Sequence, residues 1–74
     1  MDITIIAWAT QRGQKIPGSL RRELKSVMKK AKIEGQVSIV PGCLLIETKN
    51  VSSDDAVYLM RMLQNVGYST GVQV

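Results

Sequence analysis

Apolar and polar residues follow two different periods along this chain, and each change of period marks a new structural segment. Ile3–Ala9 is β-branched and aromatic and is too short for a helix, which predicts a first strand. A polar loop, Thr10–Gly18, follows it. From Ser19 the apolar residues recur at helical spacing, at Leu20, Leu24, Val27, Met28 and Ala31. This spacing predicts a helix over about 20–34, capped by Ser19 and ended by Gly35.

Two short β-rich segments follow this helix. Gln36–Val40 and Cys43–Lys49 are separated by Pro41-Gly42, which predicts a hairpin with a tight turn. Their alternation places four apolar side chains on one face of the hairpin: Val37, Ile39, Leu44 and Ile46.

The last third of the chain predicts a second helix and a final strand. Ser52 precedes the helix as its N-cap, and Asp54 and Asp55 complement the positive end of the helix dipole. The apolar positions of this helix are Ala56, Leu59, Met60 and Leu63. Gly67 ends the helix near Val66, and a strand follows to the end of the chain.

The predicted order is therefore β-α-β-β-α-β. Right-handed crossovers then give an α+β fold of the split βαβ, ferredoxin-like kind, with two helices on one face of a four-stranded antiparallel sheet. The 74 residues form one domain, 1–74. A chain of this size buries only about 60% of the surface that its unfolded form exposes, which excludes large catalytic architectures.

The second half resembles heavy-metal-associated domains and small ligand-sensing regulatory domains of this fold. The similar stretch is Val51-Ser52-Ser53-Asp54-Asp55-Ala56, followed by Leu63 and by Val66-Gly67-Tyr68. The metal loop of the first family has two cysteines after the first strand, and no cysteine occurs between Thr10 and Ser19. The resemblance therefore implies the fold, and it does not imply metal transfer.

The residue types exclude most site chemistry. The chain has no His and one Cys, so zinc, iron-sulfur and copper sites lack ligands, and Cys43 lacks a histidine base. Gly13–Ser19 has two glycines at phosphate-loop spacing, but Ser19 stands where the lysine of that loop would be. Backbone N–H groups at the start of the first helix remain a candidate phosphate contact, with Lys15 nearby. We expect a protein without catalysis, metal or cofactor.

A single cysteine also indicates a reducing compartment, because small secreted domains usually carry disulfides. The apolar stretch near the start of the chain is too short for a signal peptide or a membrane span. We therefore expect a soluble, cytoplasmic protein that does not bind a membrane.

Charge is distributed unevenly along the chain. Between Thr10 and Gly35 there are eight Lys or Arg and two Asp or Glu, a net charge of +6, whereas the remainder sums to −2. Four cations recur at helical spacing on the first helix, Arg22, Lys25, Lys29 and Lys32, and Arg21 lies beside this stripe. With Arg12 and Lys15 of the preceding loop, these are the candidate binding residues. This stripe has three interpretations: an ordinary solvated face, a surface for nucleic-acid phosphates, or a surface for an acidic protein.

Trp8 supplies a second candidate site. If the odd positions of the first strand face the helices, Ile6 and Trp8 lie on the open face of the sheet, where Leu45 and Val40 join them. An exposed apolar patch of this kind marks an interface, and a homodimer is one use of it. RNA-recognition domains stack bases on this face with several aromatic residues, and Cys43–Lys49 has none.

We therefore expect a non-catalytic module that binds nucleic-acid phosphates through its basic residues. The alternative is a small regulatory or inhibitory module, of the size often encoded by phages and mobile elements. Such a module would dock on an acidic or nucleic-acid-binding surface of a partner protein.

Overall fold

The computed structural model describes residues 1–74 and has the predicted order of elements. Its strands and helices are β1 (Thr4–Ala9), α1 (Gly18–Lys30), β2 (Glu34–Val40), β3 (Cys43–Lys49), α2 (Ser53–Asn65) and β4 (Tyr68–Gln73). The strands form one antiparallel sheet in the order β2-β3-β1-β4. The α+β class and the βαββαβ arrangement are confirmed.

The core lies between one face of the sheet and the two helices. Ile5 of β1 pairs with Ile46 of β3, and both side chains are fully buried. The largest fully buried side chains come from both layers: Ile5, Leu24, Leu44, Ile46, Leu59 and Leu63. Burying each such side chain stabilises the fold by about 1.5–3 kcal/mol before entropy is counted. This burial is the reason for the strict alternation in β1 and β3.

α1 begins two residues earlier than the sequence predicts. Its N-cap is Pro17, whose φ of −72° and ψ of 145° are those of extended backbone, and no side chain caps the helix. The predicted cap, Ser19, is wrong because this residue lies inside the first turn. Proline has a fixed φ that suits the residue before the first turn of α1. Leu20 N–H donates to the Pro17 carbonyl at 3.1 Å, which closes that turn.

α1 ends before Gly35, and the predicted boundary there is wrong. Ala31 is the C-cap, and Lys32 adopts the left-handed conformation with φ of 58°. Ile33 N–H donates to the Met28 carbonyl at 2.8 Å, and Lys32 N–H donates to the Lys29 carbonyl at 3.3 Å. This is the Schellman arrangement, and Met28 and Ile33 are both buried beside it. Closing these bonds offsets the strain of a non-glycine residue at positive φ.

Gly35 serves a different purpose, because it lies within β2, paired with Thr48 of β3. A Cβ atom at Gly35 would collide with the backbone carbonyl oxygen of Glu47 and would lie 3.0 Å from the Thr48 Cα. Glycine is therefore required for the close approach of β2 to β3.

α2 is bounded as the sequence predicts. The Ser52 hydroxyl accepts a hydrogen bond from Asp55 N–H at 3.1 Å, which confirms the N-cap. Gly67 follows the C-cap with φ of 96°, a conformation that glycine adopts without strain.

Hydrogen bonds of the residues just before β1 extend its pairing with β3. The Ile3 carbonyl accepts from both the N–H and the hydroxyl of Thr48, at 2.9 and 2.8 Å. Asn50 N–H donates to the Asp2 carboxylate at 2.9 Å. Thr48 is the one polar residue in the buried set, and its hydroxyl is satisfied there. These contacts hold the start of the chain against the end of β3.

Neither helix combines the length and the apolar composition that crossing a bilayer requires.

Gly35→Ala is expected to lower the free energy of unfolding by about 1–3 kcal/mol, because the added methyl group forces β2 away from β3. Gly18→Ala is the matched control, since a Cβ there meets no atom within 4 Å. It should leave stability unchanged or raise it by about 0.5–1 kcal/mol. Urea unfolding followed by circular dichroism measures both. Equal stability of the two variants would contradict the close approach seen at Gly35.

Candidate nucleic-acid interface

Four of the five cations of α1 share one side of the helix, which we call the basic flank: Arg21, Arg22, Lys25 and Lys29. The fifth cation, Lys30, lies about 130° from the middle of this set, on the side of Glu23. At 100° per residue, Arg21, Lys25 and Lys29 advance by about 40° at each step, and Arg22 lies about 20° beyond Lys29. The whole set therefore occupies a sector of about 100°. All four residues are exposed.

The basic flank faces outward beside β2, which is an edge strand of the sheet. The contact that shows this is a hydrogen bond from Arg21 Nε to the Val37 carbonyl of β2, at 2.9 Å. The cations therefore lie beside the β2 edge of the sheet.

The single acid of α1 does not neutralise this flank. Glu23 lies about 150° from the middle of the basic sector. It lines a recess with Pro17, Val66 and Tyr68, on the side of α1 that faces the turn between α2 and β4. Within this chain, Arg21 is the one member of the basic flank whose side chain makes a hydrogen bond, and its acceptor is a carbonyl. The positive charge of the flank therefore stays available to a ligand.

Arg21 differs from the other members of the flank, because its hydrogen bond commits part of the guanidinium group to the fold. No local pattern in the sequence indicates this bond, because the residue that reaches the edge of the sheet depends on how α1 lies on β2. The remaining N–H groups of Arg21 can still donate to a phosphate.

The helical spacing predicts that Lys32 continues the stripe by one more turn, and this position is wrong. The helix ends before it, and Lys32 lies in the turn between α1 and β2. Its side chain is exposed, but helical spacing no longer fixes its direction.

Arg12 and Lys15 lie in the loop between β1 and α1, and both are exposed. The beginning of this loop is fixed by a hydrogen bond from the Thr10 hydroxyl to the Gly67 carbonyl, at 3.0 Å. Further along, Gln14 N–H donates to the Gln11 carbonyl at 3.2 Å. The loop leads directly into Gly18, so its cations lie at the end of the molecule where α1 begins.

The open face of the sheet carries the second candidate site. The strand register places Trp8 beside Cys43, which in turn pairs with Val40, and Ile6 pairs with Leu45 in the next row. These residues lie opposite the core, on the face that the alternation predicts. Trp8 is 41% exposed and Val40 is also exposed. The patch is therefore a real apolar surface at one end of the open face.

Gly71 leaves room for the indole ring of Trp8. A Cβ atom at Gly71 would lie 3.4 Å from the Trp8 Cζ3 and 3.5 Å from its Cη2. The ring thus reaches diagonally from β1 over β4, because the direct partner of Trp8 is Ser69. An aromatic ring over a strand glycine protects that part of the backbone from water, so Trp8 has a structural use as well as an exposed face.

The other end of the open face is polar. Thr4 pairs with Glu47 and with Gln73, and Gln36 completes that row on β2. A shallow recess of about 520 Å³ lies at this end and includes these four residues. The single charged residue of this row is acidic, so the open face does not extend the basic surface.

Arg21→Met is expected to lower the free energy of unfolding by about 1 kcal/mol, because it removes the hydrogen bond to the Val37 carbonyl. Arg22→Met makes the same chemical change at the next position, where the side chain has no hydrogen bond within the protein, and should change stability by less than about 0.5 kcal/mol. Chemical unfolding of both variants measures the difference. A loss in Arg22→Met as large as that in Arg21→Met would contradict this role of Arg21.

The chain matches no protein-family model, no curated protein sequence and no solved structure, so its function is argued from the arrangement of its own residues.

Proposed function

We propose that this protein is a small, non-catalytic ferredoxin-like module of the cytoplasm that binds the phosphate backbone of nucleic acid. The binding surface comprises the loop cations and the outward members of the basic flank: Arg12, Lys15, Arg22, Lys25 and Lys29. Arg21 and Lys32 lie at its border.

The observation that carries this proposal is the segregation of charge on α1. Four of its five cations share one flank beside β2, whereas Lys30 and Glu23 lie on the other side of the helix. Like charges at this spacing destabilise a helix by a few tenths of a kcal/mol per pair, so helix stability does not account for them. A row of phosphates is a ligand that would offset this repulsion, because each phosphate carries one negative charge along a regular backbone.

Contacts of this kind predict binding with little sequence preference. Lys and Arg side chains directed at phosphates fix the position of a protein on nucleic acid, but they do not read base edges. The steep salt dependence of counterion release is the expected signature.

A second candidate is a regulatory or inhibitory module that binds an acidic surface of another protein. The observation that favours it is the apolar patch of Trp8, Val40 and Leu45, since exposed apolar surface is common in protein interfaces. This candidate uses the same cations for steering, so both functions predict loss of binding when the basic flank is reversed.

Titration of labelled duplex and single-stranded DNA and RNA at about 50 and 200 mM salt tests the proposal. Five phosphate contacts give a slope of about −4.5 for log K against log salt on a duplex, which is roughly a 500-fold loss of affinity over this range. Lys25→Glu/Lys29→Glu should abolish binding at 200 mM salt, because it removes two contacts and adds repulsion.

Lys49→Glu/Arg61→Glu is the matched control, since both side chains are exposed outside the proposed surface and the change in net charge is the same. It should keep most of the affinity of the wild type. Equal loss in both variants would show that net charge alone drives binding. Failure of the wild type to bind any of these nucleic acids at 50 mM salt would overturn the proposal and favour the protein-binding candidate.

A further inference from the structure

The two edges of the sheet are protected very differently. β2 forms one edge and β4 forms the other. At the β2 edge, Arg21 donates to the outward Val37 carbonyl, and charged side chains of the basic flank stand beside the strand. Cations beside an edge strand discourage pairing with another chain. The β4 edge has no such cover.

One row of paired residues crosses the sheet and shows that the β2 edge is covered and the β4 edge is not. Val37, Ile46, Ile5 and Val72 are paired in that order from β2 to β4, all on the face that carries the helices. Val37 and Val72 therefore occupy equivalent positions at opposite edges. Val37 is 3% exposed, whereas Val72 is 44% exposed.

The helices beside the two edges explain this contrast. α1 and α2 have the same length of 13 residues, so each position of one helix has a counterpart in the other. The counterparts of Arg21, Arg22, Lys25 and Lys29 are Ala56, Val57, Met60 and Gln64. Gln64 Nε2 donates to the Thr70 hydroxyl of β4 at 2.8 Å, which shows that this flank of α2 faces the β4 edge. The flank that is basic on α1 is therefore uncharged on α2.

β4 itself has none of the usual features that block strand addition. Its sequence, Tyr-Ser-Thr-Gly-Val-Gln, contains no charged residue and no proline. It pairs with β1 over six consecutive residues without a bulge. Such an edge leaves its outward N–H and C=O groups available to another strand.

We propose that β4 is a self-association edge, at which a second copy of this chain adds its own β4 in antiparallel orientation. The two sheets would join into one of eight strands. Val72 and the exposed Val57 of each copy would then be covered by the α2 flank of the other.

Charge and symmetry favour a second copy as the occupant. The edge and its flank carry no charge that would select an acidic or a basic partner, and an antiparallel pair of identical strands satisfies two-fold symmetry. The chain carries a net charge of +4, so two copies repel unless their cations stay apart. Joining at β4 puts the two β2 edges, with their basic flanks, at opposite ends of the joined sheet, about 34 Å apart at a spacing of about 4.8 Å per strand.

The size of the contact predicts a weak dimer. The protein measures 34 × 22 × 20 Å, so an edge and its helix flank cover roughly 400 Å² on each copy. A total of roughly 800 Å² lies below the range of stable interfaces, so we expect dissociation in the micromolar range or weaker. The dimer should therefore depend on protein concentration.

Analytical ultracentrifugation from about 5 to 500 µM tests this proposal. The wild type should shift from monomer to dimer over this range, and Val72→Lys should weaken dimerisation at least tenfold, because it would place one lysine of each copy in the interface, against the uncharged α2 flank of the other. Ile39→Lys is the matched control, because it introduces the same charge at a similarly exposed position of β2, on the face of the sheet that carries the helices. This variant should dimerise like the wild type. Circular dichroism confirms that each variant is folded.

Val40→Lys separates this edge from the open face of the sheet, and it should leave the dimer intact, because Val40 is an exposed open-face residue of β2, at the opposite edge from β4. Amide hydrogen exchange of the wild type gives an independent readout, with protection of β4 amides that rises with protein concentration. A wild type that stays monomeric at 500 µM, a dimer that survives Val72→Lys, or a dimer that Val40→Lys abolishes would each overturn the proposal.

Discussion

Burial of one face of the sheet against two helices is the constraint on which the whole structure depends. Ile5 and Ile46 at the centre of the sheet are fully buried, and Leu24 and Leu59 of the two helices are fully buried in the same core. In a chain of 74 residues this single core supplies most of the favourable free energy. The alternation of the strands and the period of the helices both follow from it.

The same constraint leaves the perimeter of the molecule free to differ from one side to the other. The core requires one side of each helix to be apolar, but it does not determine the flanks beside the edge strands. In α1 that flank is basic and contributes Arg21 to the β2 edge. In α2 the equivalent flank is uncharged, and Val72 beside it stays exposed. The two proposed activities, anion binding and self-association, therefore use opposite edges of one sheet.

The sequence predicted both ends of α1 wrongly, because more than one nearby residue could cap or end this helix. Ser19 is a good N-cap by composition, yet the N-cap is Pro17, in extended backbone, and the helix begins at Gly18. Gly35 is a good helix terminator, yet Lys32 takes the left-handed position, because burial of Met28 and Ile33 sets where the chain must turn. In both cases the tertiary position of the helix decided between local candidates, and one consequence is that Lys32 leaves the helix.

The sequence by itself determined the six elements, their order, the buried side of each one and the presence of Arg22, Lys25 and Lys29 on one side of α1, because these depend on periods of two and 3.6 residues. The fourth predicted member of that group, Lys32, lies beyond the end of the helix, and Arg21 completes the group instead. Only the tertiary structure decided which edge of the sheet those cations face and that Arg21 donates a hydrogen bond to the Val37 carbonyl. It also decided that Gly35 must lack a side chain, because β2 comes close to the Glu47 carbonyl there, and that Val72 stays exposed. These facts depend on which strands become neighbours and how each helix lies across them. Contacts between residues far apart in the chain carry no local signal.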